Sequence, residues 1–166
     1  PVENASLMPW LVGAALVHAL LLSEKRQLFL LWTALLAIVA FALSLMGTFL
    51  VRSGILTSVH AFASDPSRGL FILALLVLIT LPALLLLIVR APRLLRPGRF
   101  RWLSREMGLL LNNWLLLGAC LVVLLGTLYP LIADLLQLGK ISVGAPYFNR
   151  LIVPLALLSL LLLALA

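Results

Sequence analysis

Residues 69–89 read GLFILALLVLITLPALLLLIV, twenty-one consecutive positions without a charged side chain. At ~1.5 Å per residue, a helix of about that length spans the ~30 Å hydrocarbon core of a bilayer. Apolar residues fall on every side of it, so the pattern leaves its rotation about its own axis undetermined. Working outward, residues 28–51 and 107–129 form two more such stretches, 24 and 23 residues long. Residues 7–22 form a shorter one of 16 that borrows its neighbours Ala5, Ser6 and Ser23. Ser6 is expected to cap that helix, with Pro9 tolerated in its first turn. A fifth stretch, 151–166, stops inside an apolar run with no charged or aromatic anchor after it, and position 1 is Pro. The chain is therefore expected to be an internal piece of a longer membrane protein.

Composition agrees with the runs. Of 166 residues, 64% are hydrophobic and 10% charged, whereas soluble domains average roughly 45–50% and about 25%. Such a chain folded in water would expose a large apolar surface. The fold class that follows is an all-α integral membrane protein, a polytopic bundle of transmembrane helices forming a single region over 1–166. A disordered chain, a disulfide scaffold and an ordinary soluble enzyme are excluded. The lone Cys120 lies inside an apolar run, without a nearby His or acid, and reads as a packing residue.

The formal charge is +7, yet six of the twelve cations (Arg90, Arg93, Arg96, Arg99, Arg101 and Arg105) share one connecting loop. That is the mark of a cytoplasmic loop touching anionic lipid, and it argues against nucleic acid as a partner. Segments 23–27 and 90–105 hold eight cations together, against four in 52–68 and 130–150. The first pair is thus assigned to the cytoplasm and the second to the outer side, which is the periplasm in a bacterial inner membrane. In 52–68, Ile55, Leu56, Val59, Phe62 and Ala63 give a short amphipathic helical face stopped near Asp65 and Pro66. In 130–150, Leu131, Ile132, Leu135, Leu136 and Leu138 repeat the theme before Gly139, and residues 144–149 read as a turn-rich return. Short amphipathic periplasmic helices are therefore expected in both loops.

Chemistry has few places to sit. There are two histidines, and no Cys pair, Gly-rich phosphate loop or carboxylate cluster. His18 lies inside the first apolar stretch with no acid within a turn. A titratable group at that depth faces protein or a cofactor. Two readings stand: a neutral imidazole hydrogen-bonded to a neighbouring helix, or an axial ligand of haem or another metal, with Ala14, Ala15 and Ala19 leaving room for a flat porphyrin. His60, in the outer loop 52–68, reads either as a solvated surface histidine or as a ligand. Arg52 and Arg68 at the ends of that loop are either bilayer-boundary anchors or contacts for haem propionates.

Residues 46–69, MGTFLVRSGILTSVHAFASDPSRG, closely resemble the CcmF family of cytochrome c maturation proteins. So do PVENAS at 1–6 with MPW at 8–10, SRE at 104–106, LNN at 111–113, GTLYP at 126–130 and GKISVGAPYFN at 139–149. The matches run in family order along nearly all of the chain up to Asn149. The resemblance implies a haem-handling protein of the bacterial inner membrane, part of the haem lyase that joins haem to the Cys-X-X-Cys-His motif of apocytochromes c. It implies two cofactor roles, a resident haem b that keeps iron reduced and haem as substrate. His18 matches the axial ligand of the resident haem, and His60 an axial ligand of the incoming one. Their mates, and the family's Trp-rich segment, lie outside this chain. The implied partners are a haem chaperone, the apocytochrome, a thiol-handling maturation subunit and membrane lipid. Neighbouring expectations are a haem transport or export subunit, a paralogue dedicated to a multihaem nitrite reductase, and a structural subunit in which both histidines are bland.

Overall fold

The computed structural model describes residues 2–26, 29–53, 66–95, 104–139 and 142–165. They form five helices: α1 (Val2–Arg26), α2 (Leu30–Arg52), α3 (Pro66–Leu94), α4 (Arg105–Leu135) and α5 (Ala145–Leu165). All five are long and apolar enough to cross a membrane, so the chain is a multi-pass membrane protein. The amphipathic residues of 54–65, His60 among them, lie outside the described residues, as do 96–103 of the basic loop.

Helix ends differ from the sequence expectation in three places. Helix α1 begins at Val2, so Ser6 is no cap. Its hydroxyl turns back onto the Glu3 carbonyl at 2.9 Å, and Pro9 sits inside the helix. At the other end of the bundle, α4 runs through Pro130 to Leu135, so Leu131, Ile132 and Leu135 are its last turns rather than a separate surface element. Gln137, with φ of 56°, takes the left-handed turn that ends α4, its closing bond running from the Leu138 amide to the Ala133 carbonyl at 2.9 Å, and Gly139 follows with φ of 94°. Residues 145–149 then open α5 instead of forming a turn. The SRE triplet has a local reason: Ser104 Oγ accepts from the Met107 amide at 3.3 Å, capping α4, and Glu106 lies in the first turn.

Neighbour order is α3, α2, α1, α4, α5, with α1 at the centre; α2 and α4 also meet through the rings of Trp32 and Trp114, whose centroids are 5.2 Å apart. Side chains settle the rotation that the sequence left open. Met8, Val12, Ala15 and Ala19 form the fully buried stripe of α1, spaced by four, three and four. Lipid gives no hydrophobic drive between helices, so small residues that let backbones approach carry much of the packing. Pro9 makes one such approach informative. Lacking an N–H, it leaves the Ala5 carbonyl without its helical donor. That oxygen lies against Gly47 of α2, where a Cβ would stand 2.6 Å from it. The Gly47 Cα–H is therefore placed to compensate the freed carbonyl, and only glycine fits.

Gly47→Ala should loosen the α1–α2 contact by about 1–3 kcal/mol in a denaturant titration of the membrane protein. Gly13→Ala, with nothing within 4 Å of the added carbon, should be neutral or stabilising by up to about 1 kcal/mol.

Candidate functional site

His18 lies one residue before the buried Ala19, half-buried on α1. Its Nδ1 is 3.3 Å from Asn112 Nδ2 on α4, so one ring nitrogen is held by a neighbouring helix. Asn112 is 2% exposed and Asn113 wholly buried; Asn112 Oδ1 and both amide atoms of Asn113 have no hydrogen-bond partner among the described residues. On its outward side α1 carries Ala14, Val17 and Leu21 at helical spacing around His18, with Val17 55% and Leu21 46% exposed. The free edge of the imidazole thus neighbours an apolar face that the described helices leave open.

Two details revise the expected pocket. Ala15 and Ala19 are fully buried between helices, so their small size serves α1 packing; Ala14 alone of the three lies toward the open face. Depth changes too. With α1 starting at Val2, His18 is about 24 Å along it, nearer the end marked by Lys25 and Arg26. No group of three or more His, Cys, Asp or Glu side chains able to hold a metal ion occurs among the described residues. A single neutral imidazole suits haem, whose porphyrin supplies four equatorial nitrogens and asks the protein only for axial ligands. His18 therefore fits as one such ligand.

Most of the quoted motifs meet at the opposite end of the bundle. Asn4 Nδ2 donates to Thr127 Oγ1 at 3.0 Å, and Thr127 Oγ1 in turn donates to the Val123 carbonyl at 2.7 Å. That joins the PVENAS and GTLYP segments across α1 and α4. Gly126 leaves space for the rings of Tyr147 and Phe148, which a Cβ would approach to 2.7–2.8 Å, and Tyr147 Oη donates to the Val122 carbonyl. Gly69, at the start of α3, packs on Ser53 at the end of α2, with room for no Cβ. The helix ends that flank residues 54–65 therefore meet at one tight contact. Arg52 and Arg68 each neighbour it in sequence; Arg52 is half-buried and Arg68 exposed. His18 lies about 20 Å below this end, measured along α1 from the Ala5–Gly47 contact. The structure thus brings together the helix ends that bear Arg52 and Arg68, and sets His18 apart from them.

Comparison with known proteins agrees with this arrangement. The family model described as "Cytochrome C assembly protein" matches residues 1–57. A Pseudomonas aeruginosa protein named "Cytochrome c-type biogenesis protein CcmF" is 60% identical over 155 residues, covering 93% of this chain and 24% of that protein. This chain belongs to the CcmF family. The solved structure "Cytochrome c Heme Lyase CcmF" superposes with a TM-score of 0.69 at 32% identity, over 98% of this chain and 22% of that one. An Escherichia coli relative named "Probable cytochrome c-type biogenesis protein NrfE" is 51% identical over 170 residues, spanning the whole chain and 30% of the relative. The chain spans about a quarter of the length of the CcmF proteins it matches.

Asn112 is the site residue that sequence reasoning passed over. Its signal was present: two adjacent amides inside an otherwise apolar run are costly in a membrane helix unless they find partners.

In a double-mutant cycle, Asn4→Ala and Thr127→Val should show a coupling of about 0.5–1.5 kcal/mol in stability. Additive effects would mean that the two segments are joined by packing alone.

Proposed function

We propose that this chain is part of the membrane core of a cytochrome c haem lyase, acting in cytochrome c maturation. The observation that carries the reading is His18, a single intramembrane imidazole anchored by Asn112 beside an open apolar face, in a chain of the CcmF family. His18, with Ala14, Val17 and Leu21 around it on α1, would hold a resident haem b through its imidazole. The bound haem supplies one-electron redox chemistry, and the protein sets ligand, burial and orientation. Asn112 on α4 holds one edge of the ring.

His60 serves the substrate haem on the periplasmic side of the bacterial inner membrane. Arg52 and Arg68, at the two ends of its segment, receive the propionates there. Each apocytochrome cysteine thiol adds across a haem vinyl group: the sulfur bonds one vinyl carbon and a proton goes to the other. This chain's part is positioning, with no side chain acting as acid or base. Haem arrives from a haem chaperone, and the apocytochrome is presented by a thiol-handling subunit. The helix ends that flank residues 54–65 lie about 20 Å along the bundle from His18, so a resident haem there would keep the substrate iron reduced from outside the substrate site.

In the full-length protein, His18→Ala should abolish the b-type Soret and pyridine haemochrome signals. His60→Ala should keep them while holocytochrome c is lost. Retention of the b haem in His18→Ala would overturn the resident-haem role, and normal cytochrome c maturation in His60→Ala would overturn the ligand role. An export subunit instead would lose periplasmic haem delivery in His60→Ala even with no apocytochrome present.

Topology has its own test. In a Cys120→Ala background, Ser58→Cys and Ser142→Cys should react with an impermeant thiol reagent from the periplasm. Arg99→Cys should react only after the cytoplasmic face is opened. The reverse pattern overturns the orientation.

A further inference from the structure

We propose that Asn112 is the positioning residue of His18, able to pair with either tautomer of the imidazole and, with Oδ1 turned to Nδ1–H, holding the one that leaves the Nε2 lone pair free for iron. The inference rests on the reading of His18 as a haem ligand and adds the residue that tunes it.

A neutral imidazole carries one proton on its two ring nitrogens. When Nε2 gives its lone pair to iron, the proton must sit on Nδ1, and Nδ1 becomes a donor that needs an acceptor. Asn112 stands at Nδ1, 3.3 Å away. As assigned, its Nδ2 faces the ring and its Oδ1 is a buried oxygen without a partner. The oxygen and nitrogen of an amide exchange places by a half-turn about the terminal bond, and they are assigned from the hydrogen-bond network. After that half-turn Oδ1 accepts from Nδ1–H, which is the pairing iron ligation requires. Before it, Nδ2 donates to a bare Nδ1, the pairing suited to the other tautomer. A carboxylate at this place can only accept, and an aliphatic side chain can do neither.

The position itself calls for such an account. Asn112 is buried in the α1–α4 contact, in a helix where leucine costs nothing in lipid. Interhelical glue alone would explain a polar pair but would leave the electronic properties of a bound haem untouched. A hydrogen bond from Nδ1–H to Oδ1 raises the basicity of the ligating nitrogen, favours ferric over ferrous iron and lowers the potential.

The test uses the full-length protein purified with its b haem. Asn112→Asp and Asn112→Leu are compared with the unsubstituted protein for midpoint potential, ferric EPR g-values and the rate of haem transfer to apomyoglobin. The expected order of potential is Asp lowest, Asn intermediate and Leu highest. Haem should also leave the Leu variant about 10–100-fold faster, the loss typical of a removed partner of a metal-ligating histidine. Unchanged potentials and g-values in both variants would overturn the proposal and leave Asn112 as packing. If the Leu variant does not accumulate, the Asp variant decides alone: a lowered potential supports the assignment, and an unchanged or raised one rejects it. His18→Ala separates the two levels of inference. If that variant loses the b haem while both Asn112 variants are spectroscopically unaltered, only the positioning role fails. Should it keep the haem, the ligand reading fails and the positioning role goes with it.

Discussion

Every polar backbone group inside a bilayer must find its partner within the protein, and the contact of α1 with α2 shows how this chain meets that demand. Pro9 deprives the Ala5 carbonyl of its helical donor, and Gly47 is the one residue type that can bring α2 close enough to cover it. The central place of α1 gives this contact its reach. Helices α2 and α4 both pack on α1, while α3 and α5 are held only through them. The fully buried Met8, Val12, Ala15 and Ala19 are the surface against which the bundle is assembled.

Polar side chains are few and each has a location that matters. Toward one end, Asn4 and Thr127 tie α1 to α4, and Gly126 seats the aromatic rings that begin α5. Deeper along the same interface, Asn112 meets His18. Hydrogen bonds between membrane helices are individually modest, of order 1 kcal/mol, because the alternatives in lipid also find partners. Their use is in register: they fix which residues of α1 and α4 stand level. For a haem protein, that register determines the direction in which a ligating nitrogen points.

The distance of His18 from the helix ends that flank residues 54–65 bears on the proposed function. His18 lies in the half of the bundle toward the basic loops, and the segment holding His60 springs from the opposite end. On the proposed function, a resident cofactor and a substrate would then be handled at separate places on one small scaffold. The tight contact of Ser53 with Gly69 joins the end of α2, which bears Arg52, to the first turn of α3, which bears Arg68. Family membership, shown by relatives and by the solved structure, gives this division of the molecule its chemical meaning.

Much of the fold was legible in composition and run length alone. Charge-free stretches of twenty or so residues have only one way to satisfy their backbone in lipid, and that decided helices. The motif segments likewise carried the family in linear order. The sequence misled where backbone propensity was outweighed by tertiary context: Ser6 is a cap residue by type, and Pro130 a helix breaker by type, yet both lie inside helices. Residues 145–149 look like a turn and open a helix, since Gly126 makes room for their rings. Helix rotation could not be read at all, because an apolar stretch shows no face until a neighbour covers one side of it. The sequence by itself therefore determined that the chain crosses the membrane and that two imidazoles are its candidate ligands. Only the tertiary structure decided that Ala15 and Ala19 are packing rather than pocket, and that Asn112 is the side chain meeting His18. Contacts between residues 94 positions apart leave no periodic trace along one chain.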